Sequence, residues 1–273
     1  MKLDCVRQLW GVQEPLSDRL REFKALGYVA VETAAPPKER LAHFKQQLKD
    51  AELGLVAMIY TAGATVQEHL RYLEQEIERV KGLSPLFINA HSGRDAWSED
   101  EAKSFFEGAL KLEASAGLVI AHETHRGRIL FNPWVTRNVL HTFPELKLTC
   151  DYSHWVCVTE RLLTTETEIL ELCARHAHHI HARVGHEHGP QVADPRAPEY
   201  LRYVEAHERF WDMIWDAQAK RGYSRTTLTP EFGPPGYMPT LPFTRTPVTD
   251  LSAISEWMTE RQRARFNQRS QRA

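Results

Sequence analysis

Residues 118–154 read LVIAHETHRGRILFNPWVTRNVLHTFPELKLTCDYSH, and their order decides the fold. An apolar run, 118–123, ends on Glu123. An amphipathic stretch at 132–142 follows, with Pro133 where a first helical turn tolerates proline, and a second apolar run, 146–151, ends on Asp151. The runs are continuous rather than alternating, as in strands buried on both faces. A parallel pair joined by a crossover helix is therefore expected.

The same unit repeats outward in both directions. Strands are predicted at 5–10 (CVRQLW), 28–32 (YVAVE), 54–60 (GLVAMIY), 85–91 (PLFINAH), 178–184 (HHIHARV) and 227–232 (TLTPEF), making eight with the central pair. Helices are predicted at 16–26, 37–52, 65–82, 98–115, 160–175, 199–221 and 247–265. Ser98 before EDE predicts a capped helix start, Pro36-Pro37 another, and Gly27, Gly54, Gly82, Gly117 and Gly222 are expected as left-handed helix ends. Eight such units predict one α/β domain over 1–273, a (β/α)8 TIM barrel. A long proline-rich loop at 185–200 would wall the pocket, and a basic C-terminal tail at 261–273 would be a frayed surface helix. An open doubly wound sheet is the alternative, but WGVQEPLSD after the first strand has no G-x-G-x-x-G turn, and no Walker A sequence occurs.

With 34 Lys+Arg against 36 Asp+Glu, the formal charge is -2, which excludes the strongly basic footprint of a general nucleic-acid binder. No apolar run is long enough to cross a membrane, and MKLDCVRQLWG carries charges where a signal peptide needs apolar residues. A cytoplasmic protein is expected, with no membrane partner. Cys5, Cys150, Cys157 and Cys173 form no C-x-x-C pair and read as free thiols, structural rather than nucleophilic.

In a barrel of this kind the active site lies at the C-terminal ends of the strands. Strand five ends in Glu123, strand six in Asp151, strand eight in Glu231, and strand seven carries His179 and His181. Carboxylates crowded on one rim repel unless something positive lies between them, and a divalent metal is the economical answer. Oxygen-rich ligation with one imidazole suits Mn²⁺ foremost, then Mg²⁺ or Co²⁺, ahead of a structural zinc.

Here the sequence resembles the xylose isomerase-like family of (β/α)8 barrels, which contains ketose 3-epimerases, hydroxypyruvate isomerases, inosose dehydratases and the endonuclease IV branch. The carriers are G-Y-V-A-V-E-T on strand two, E-T-H on strand five, D-Y-S-H on strand six, H-I-H on strand seven and P-E-F-G on strand eight. The resemblance implies one divalent ion, with Zn²⁺ also possible, held by Glu123, Asp151, His181 and Glu231. It implies that Glu123 and Glu231 act as the acid–base pair beside a substrate carbonyl, and that His154 hydrogen-bonds a substrate oxygen. A homodimer follows only from family habit.

Strand alternation turns His179, His181 and Arg183 to one side, so Arg183 is expected near the mouth, gripping a hydroxyl, carboxylate or phosphate. His179 reads as a packed, hydrogen-bonded residue. Ketose 3-epimerases of this family place an arginine six residues after the ligand histidine, where this chain has Glu187, which is expected to bind substrate. Trp10, Tyr60, His91 and Trp97 are candidate sugar platforms at or beyond strand ends, and His125, Arg126 and Arg128 could meet an anionic group. The expected activity is a metal-dependent isomerase or epimerase of carbohydrate metabolism, acting beside a carbonyl of a small sugar or sugar derivative. The alternatives are a lyase or dehydratase sharing that first step, an endonuclease IV-like phosphodiesterase, or a sugar-binding barrel with a structural metal.

Overall fold

The computed structural model describes residues 1–13 and 15–270. Eight parallel strands close a barrel in sequence order. They are β1 (Lys2–Gln8), β2 (Ala30–Ala34), β3 (Gly54–Tyr60), β4 (Phe87–His91), β5 (Ile120–Glu123), β6 (Lys147–Asp151), β7 (Ala177–His181) and β8 (Arg225–Thr229). All eight predicted strands are present. The helices are α1 (Leu16–Ala25), α2 (Leu41–Asp50), α3 (Val66–Lys81), α4 (Glu99–Ala116), α5 (Pro133–Thr142), α6 (Tyr152–Thr159), α7 (Thr167–His176), α8 (Leu201–Lys220) and α9 (Leu251–Ser270).

Most of the apolar core lies between strands and helices, where Ile88, Ile120, Leu148, Ile180 and Leu228 meet Phe105, Phe106, Trp211 and Trp215. Inside the barrel a smaller layer of Val6, Ala30, Val56, Phe87 and Ala121 closes the floor. Two residues further along each of those strands, the same inward face carries Gln8, Glu32, Met58, Asn89 and Glu123, so the interior passes from apolar to polar toward the strand ends.

Strand parity in β7 depends on a bulge. Leu148 of β6 pairs with Ala177, yet Thr149 pairs with His179, so His178 is the extra residue. Ala177 and Ile180 consequently both face the helices, while His179, His181 and Arg183 face inward, as expected.

Ser98 forms the expected cap, a capping box with Glu101, and Asn132 caps α5 before Pro133. Left-handed conformations occur at Gly27, Gly117 and Gly222 but not at Gly82, whose φ is -60°, nor at Gly54, which opens β3. The left-handed residues of those two turns are Ser84 and Glu52. The helix predicted at 160–175 is α7, which starts only at Thr167, and an additional helix, α6, precedes it. Asp151 caps the next residues directly, accepting from the backbone N–H of Ser153 at 2.9 Å, so α6 starts at the strand end and stops at Glu160 in a left-handed conformation. α9 runs through the expected basic tail to Ser270 and is packed rather than frayed, with Gln262 and Phe266 buried; 271–273 lie outside the described residues. No helix among the described residues is long and apolar enough to cross a membrane.

Candidate active site

Strand ends β5 to β8 bring Glu123, Asp151, His181 and Glu231 together, each able to offer one ligand atom within 4.8 Å of the others. All four are buried. His181 is central: its Nδ1 lies 2.9 Å from Glu231 Oε2 and 3.6 Å from Glu123 Oε1. Those three atoms are buried and make no hydrogen bond. Unpaired buried polar atoms are rare, so three facing one point indicate a group that would satisfy them together. Both oxygens of Asp151 are engaged, Oδ1 by Ser153 and Oδ2 by the Arg183 guanidinium.

The orientation of His181 comes from β2. Glu32 Oε1 lies 2.9 Å from His181 Nε2, Thr229 donates to Glu32 Oε2 at 2.5 Å, and Asn89 donates to Glu32 Oε1 at 3.1 Å and to Glu123 Oε2 at 2.8 Å. A carboxylate on the far nitrogen of a ligating imidazole fixes its ring and tautomer. Sequence reading placed Glu32 in a strand-two motif without giving it a role. The available signal was parity: Ala30 and Glu32 share an inward face, and an inward acid two residues past the floor needs a partner. Asn89 carried the same signal. His179 is held by Thr227 at 2.7 Å and Thr229 at 2.9 Å, as expected of a packed barrel residue.

Charge is balanced by proximity. Burial disfavours ionised Glu32, but His181 and His179 outweigh it and hold the carboxyl well below its ordinary range. Burial likewise opposes a charged His181, yet Glu231, Glu32 and Glu123 hold its pKa well above the ordinary value. Asp151 is pushed up to about 6 by burial, against Arg183 and with the neighbouring Glu231 and Glu123. A proton on His181 and the Arg183 guanidinium thus supply positive charge here. A divalent cation would replace that proton, as metal binding to imidazole requires. The donor set fits such an ion.

Above this group opens a cavity of about 310 Å³, lined by Gln8, Trp10, Tyr60, His91, His125, Arg128, Arg183, Glu231 and Tyr237 among others. Tyr60, His91, His125 and His154 form a row of rings with centroid separations of 4.3, 4.7 and 3.8 Å. His91 approaches Glu123 Oε2 at 2.7 Å. His154, the last ring of that row, lies 2.6 Å from Arg183 Nη2 and does not line the cavity. Arg183 lines it while paired to Asp151 and to Glu231 at 3.3 Å, so its fork is not simply free for substrate.

Three sequence expectations fall elsewhere. Trp97 packs on His69 and Phe105, beside a separate cavity between α4 and α5. Glu187 is turned toward α8, accepting from the Tyr203 hydroxyl at 2.6 Å, because the chain leaves the barrel at Gly185. Loop 185–200 braces the mouth instead of walling it. Gln191 exchanges two hydrogen bonds with Gly233, and the loop after β8 supplies the wall through Tyr237. Trp10 lies so close over Gly233 that a Cβ there would meet its ring at 2.5 Å. The four cysteines are free, and all but Cys157 are buried.

Two smaller groups could also hold an ion, Glu32–His179–His181 and His91–Glu123–His125. The first is already saturated by hydrogen bonds within the barrel.

No curated protein matches this sequence significantly. Among solved structures, a 3-keto-D-glucoside 4-epimerase from E. coli superposes with a TM-score of 0.63 at 12% identity, covering 96% of this chain and 100% of its own. The probable 3-DHS dehydratase of Bacillus anthracis gives 0.58 at 14% identity over 87% and 95%. Endonuclease IV from Thermus thermophilus gives 0.53 at 15% over 86% and 94%. At these identities the likeness is one of fold. Residues 20–198 match the family model described as xylose isomerase-like TIM barrel, and the chain belongs to that family.

Proposed function

We propose that this protein is a divalent-metal-dependent isomerase or epimerase that removes a proton beside a carbonyl of a sugar or sugar derivative. The observation that carries this reading is the convergence of Glu123, Asp151, His181 and Glu231 under an open cavity, with Glu123 Oε1, His181 Nδ1 and Glu231 Oε2 buried and making no hydrogen bond. Glu123, Asp151, His181 and Glu231 would hold the ion, with Mn²⁺ the best match to the donor set. When bound, the ion supplies Lewis-acid polarisation of a carbonyl oxygen.

The remaining chemistry belongs to side chains. Glu231 Oε1 has one weak hydrogen bond, from Gln8 at 3.3 Å, and its residue lines the cavity, so it is the better base toward a carbon-bound proton. Across the barrel Glu123 Oε2 is held by Asn89 and approached by His91, which gives that side a route for returning a proton. Gln8, Trp10, Tyr60 and Tyr237 orient the substrate. An epimerase, an isomerase and a dehydratase would share this first step. The expected substrate partner is a small sugar or keto-sugar rather than nucleic acid.

The His91–Glu123–His125 group favours a second reading, a multinuclear phosphodiesterase. Against it, β3 ends in Tyr60 rather than histidine, and the formal charge is -2. The test incubates Mn²⁺-loaded protein in D₂O with ketoses, inososes and 3-keto-glycosides, beside a duplex containing an abasic site. Deuterium at the carbon next to a carbonyl is expected. Duplex cleavage without exchange in any sugar would transfer the assignment to the phosphodiesterase.

A further inference from the structure

Arg128, in the loop after β5, is fixed in place without being neutralised. Its Nη1 donates to the carbonyl oxygens of Thr61 at 2.9 Å and Gly93 at 3.1 Å, just beyond β3 and β4, and the side chain lines the cavity with Tyr60, His91 and His125. Among the described residues no carboxylate lies within 4 Å of it, and Nε and Nη2 make no hydrogen bond. Arg183, which also lines the cavity, is by contrast paired to Asp151 and Glu231, while the buried Arg7, likewise without a carboxylate partner among the described residues, lies outside this cavity and donates to Ser252. Burial lowers the Arg128 pKa, opposed only at longer range by Glu123, Tyr60 and Asp95. Nε and Nη2 are not among the buried unpaired atoms and the side chain lines the cavity, so a ligand entering there meets three donors whose placement is already fixed through Nη1.

Arg126 of the same loop is also half-buried without an ion pair, its guanidinium 5.1 Å over the ring of Tyr237, which lines the cavity.

We propose that the substrate carries an oxyanion, a carboxylate or a phosphate, at the end remote from the reacting carbonyl, and that Arg128 binds it with help from Arg126. This rests on the function proposed above. It adds a specificity determinant that would reject neutral sugars of the same length. A cavity of about 310 Å³ is at the size of small-ligand sites, which suits a compact keto-acid or keto-phosphate.

Calorimetry on Mn²⁺-loaded protein tests this with D-fructose, D-fructuronate, which ends the same carbon chain in a carboxylate, and D-fructose 6-phosphate. At least one anion should bind the wild type about tenfold or more tightly than fructose, as one charge-assisted contact allows, and which anion wins identifies the oxyanion. Arg128→Gln should remove that preference while changing fructose affinity less than about threefold. Arg126→Gln should reduce it in part, and carries the test together with the wild-type ratio if Arg128→Gln does not fold. Equal binding of all three sugars, binding of none by the Mn²⁺-loaded protein, or equal weakening of neutral and anionic sugars in Arg128→Gln would overturn the proposal. The last result would mean that the arginine only braces the β3 and β4 loops. Failure of the wild type to bind Mn²⁺ would instead overturn the function on which it rests.

Discussion

Two regions of this molecule cluster charged side chains, and they do so in opposite ways. Along the seam between α8 and α9, Glu208, Asp212 and Asp216 stand four residues apart and face Arg261, Arg265 and Arg269 at the same spacing. Each acid has its own arginine. Glu208 accepts from Arg261 Nε at 2.7 Å, Arg261 Nη2 at 2.9 Å and Gln262 Nε2 at 2.9 Å, and cross-pairs from Arg265 to Glu208 and from Arg269 to Asp212 knit the rungs together. At the strand ends, by contrast, Glu123, His181 and Glu231 are more deeply buried and each keeps an atom without a hydrogen bond. Charges satisfied within the chain hold helices together, whereas charges left open at the barrel mouth await something the chain does not supply.

The sharpest break of this contrast is to remove an open charge. Glu231→Gln and Glu123→Gln should each lower turnover by about 10²–10⁴-fold, the usual contribution of a general acid or base, with further loss from weakened metal binding. Their thermal stability should fall as well, since Glu123 faces His91 and His181, Glu231 lies 2.9 Å from His181 and 3.3 Å from Arg183, and each Gln leaves a buried cation less well compensated. A Gln variant with near wild-type turnover would remove that residue from proton transfer. At the seam stability alone should respond. Glu208→Ala should cost about 2–3 kcal/mol, read by denaturant unfolding, because it strands Arg261 and Gln262, while Mn²⁺ affinity and turnover remain. The outer rung, Asp216 with Arg269, is more exposed and should contribute less than about 1 kcal/mol. A seam variant that lost activity as fully as the rim variants would dissolve the distinction.

How much of this was legible beforehand follows from the range of each interaction. Barrel strands show as continuous apolar runs because both of their faces are covered, and their terminal acids stand out against those runs at Glu123, Asp151 and Glu231. α6 was hidden because Tyr152, Ser153, His154, Trp155 and Val156 are all buried, which erases the helical period. The role of Glu32 was hidden because its partners Asn89, His179, His181 and Thr229 come from three other strands. The arginines of 261–269 read as a solvated tail for the same reason, since their acids lie 53 residues upstream on α8. Glu187 and Trp97 were placed by position after a strand, and a loop can turn either way once the ladder ends.

A pH-dependent effect comes from a histidine that the same criterion assigns to structure. His207 is buried on α8 with both nitrogens engaged, Nδ1 2.8 Å from the carbonyl oxygen of Tyr203 and Nε2 accepting from the backbone N–H of Gly185 at 3.1 Å. That arrangement is satisfied only by the neutral ring. Burial, with Arg183 nearby and against the Tyr203 carbonyl, lowers its pKa to about 3. A depressed folded value means that the unfolded chain takes up the proton first as pH falls. Stability contributed by His207 is therefore complete above about pH 6.5 and declines from there toward pH 3, by at most about 1.4 kcal/mol per pH unit. Between pH 6.5 and 5 the decline amounts to at most about 2 kcal/mol. His122, its pKa lowered to about 3 by burial, adds a parallel decline. Urea unfolding of wild type and His207→Gln across this range should show a shallower slope for the variant, by up to one proton's worth, since glutamine can span the same donor and acceptor without titrating. Equal slopes would mean that His207 is protonated in the folded protein, and that a fully hydrogen-bonded buried group in this chain does not behave as a closed structural unit.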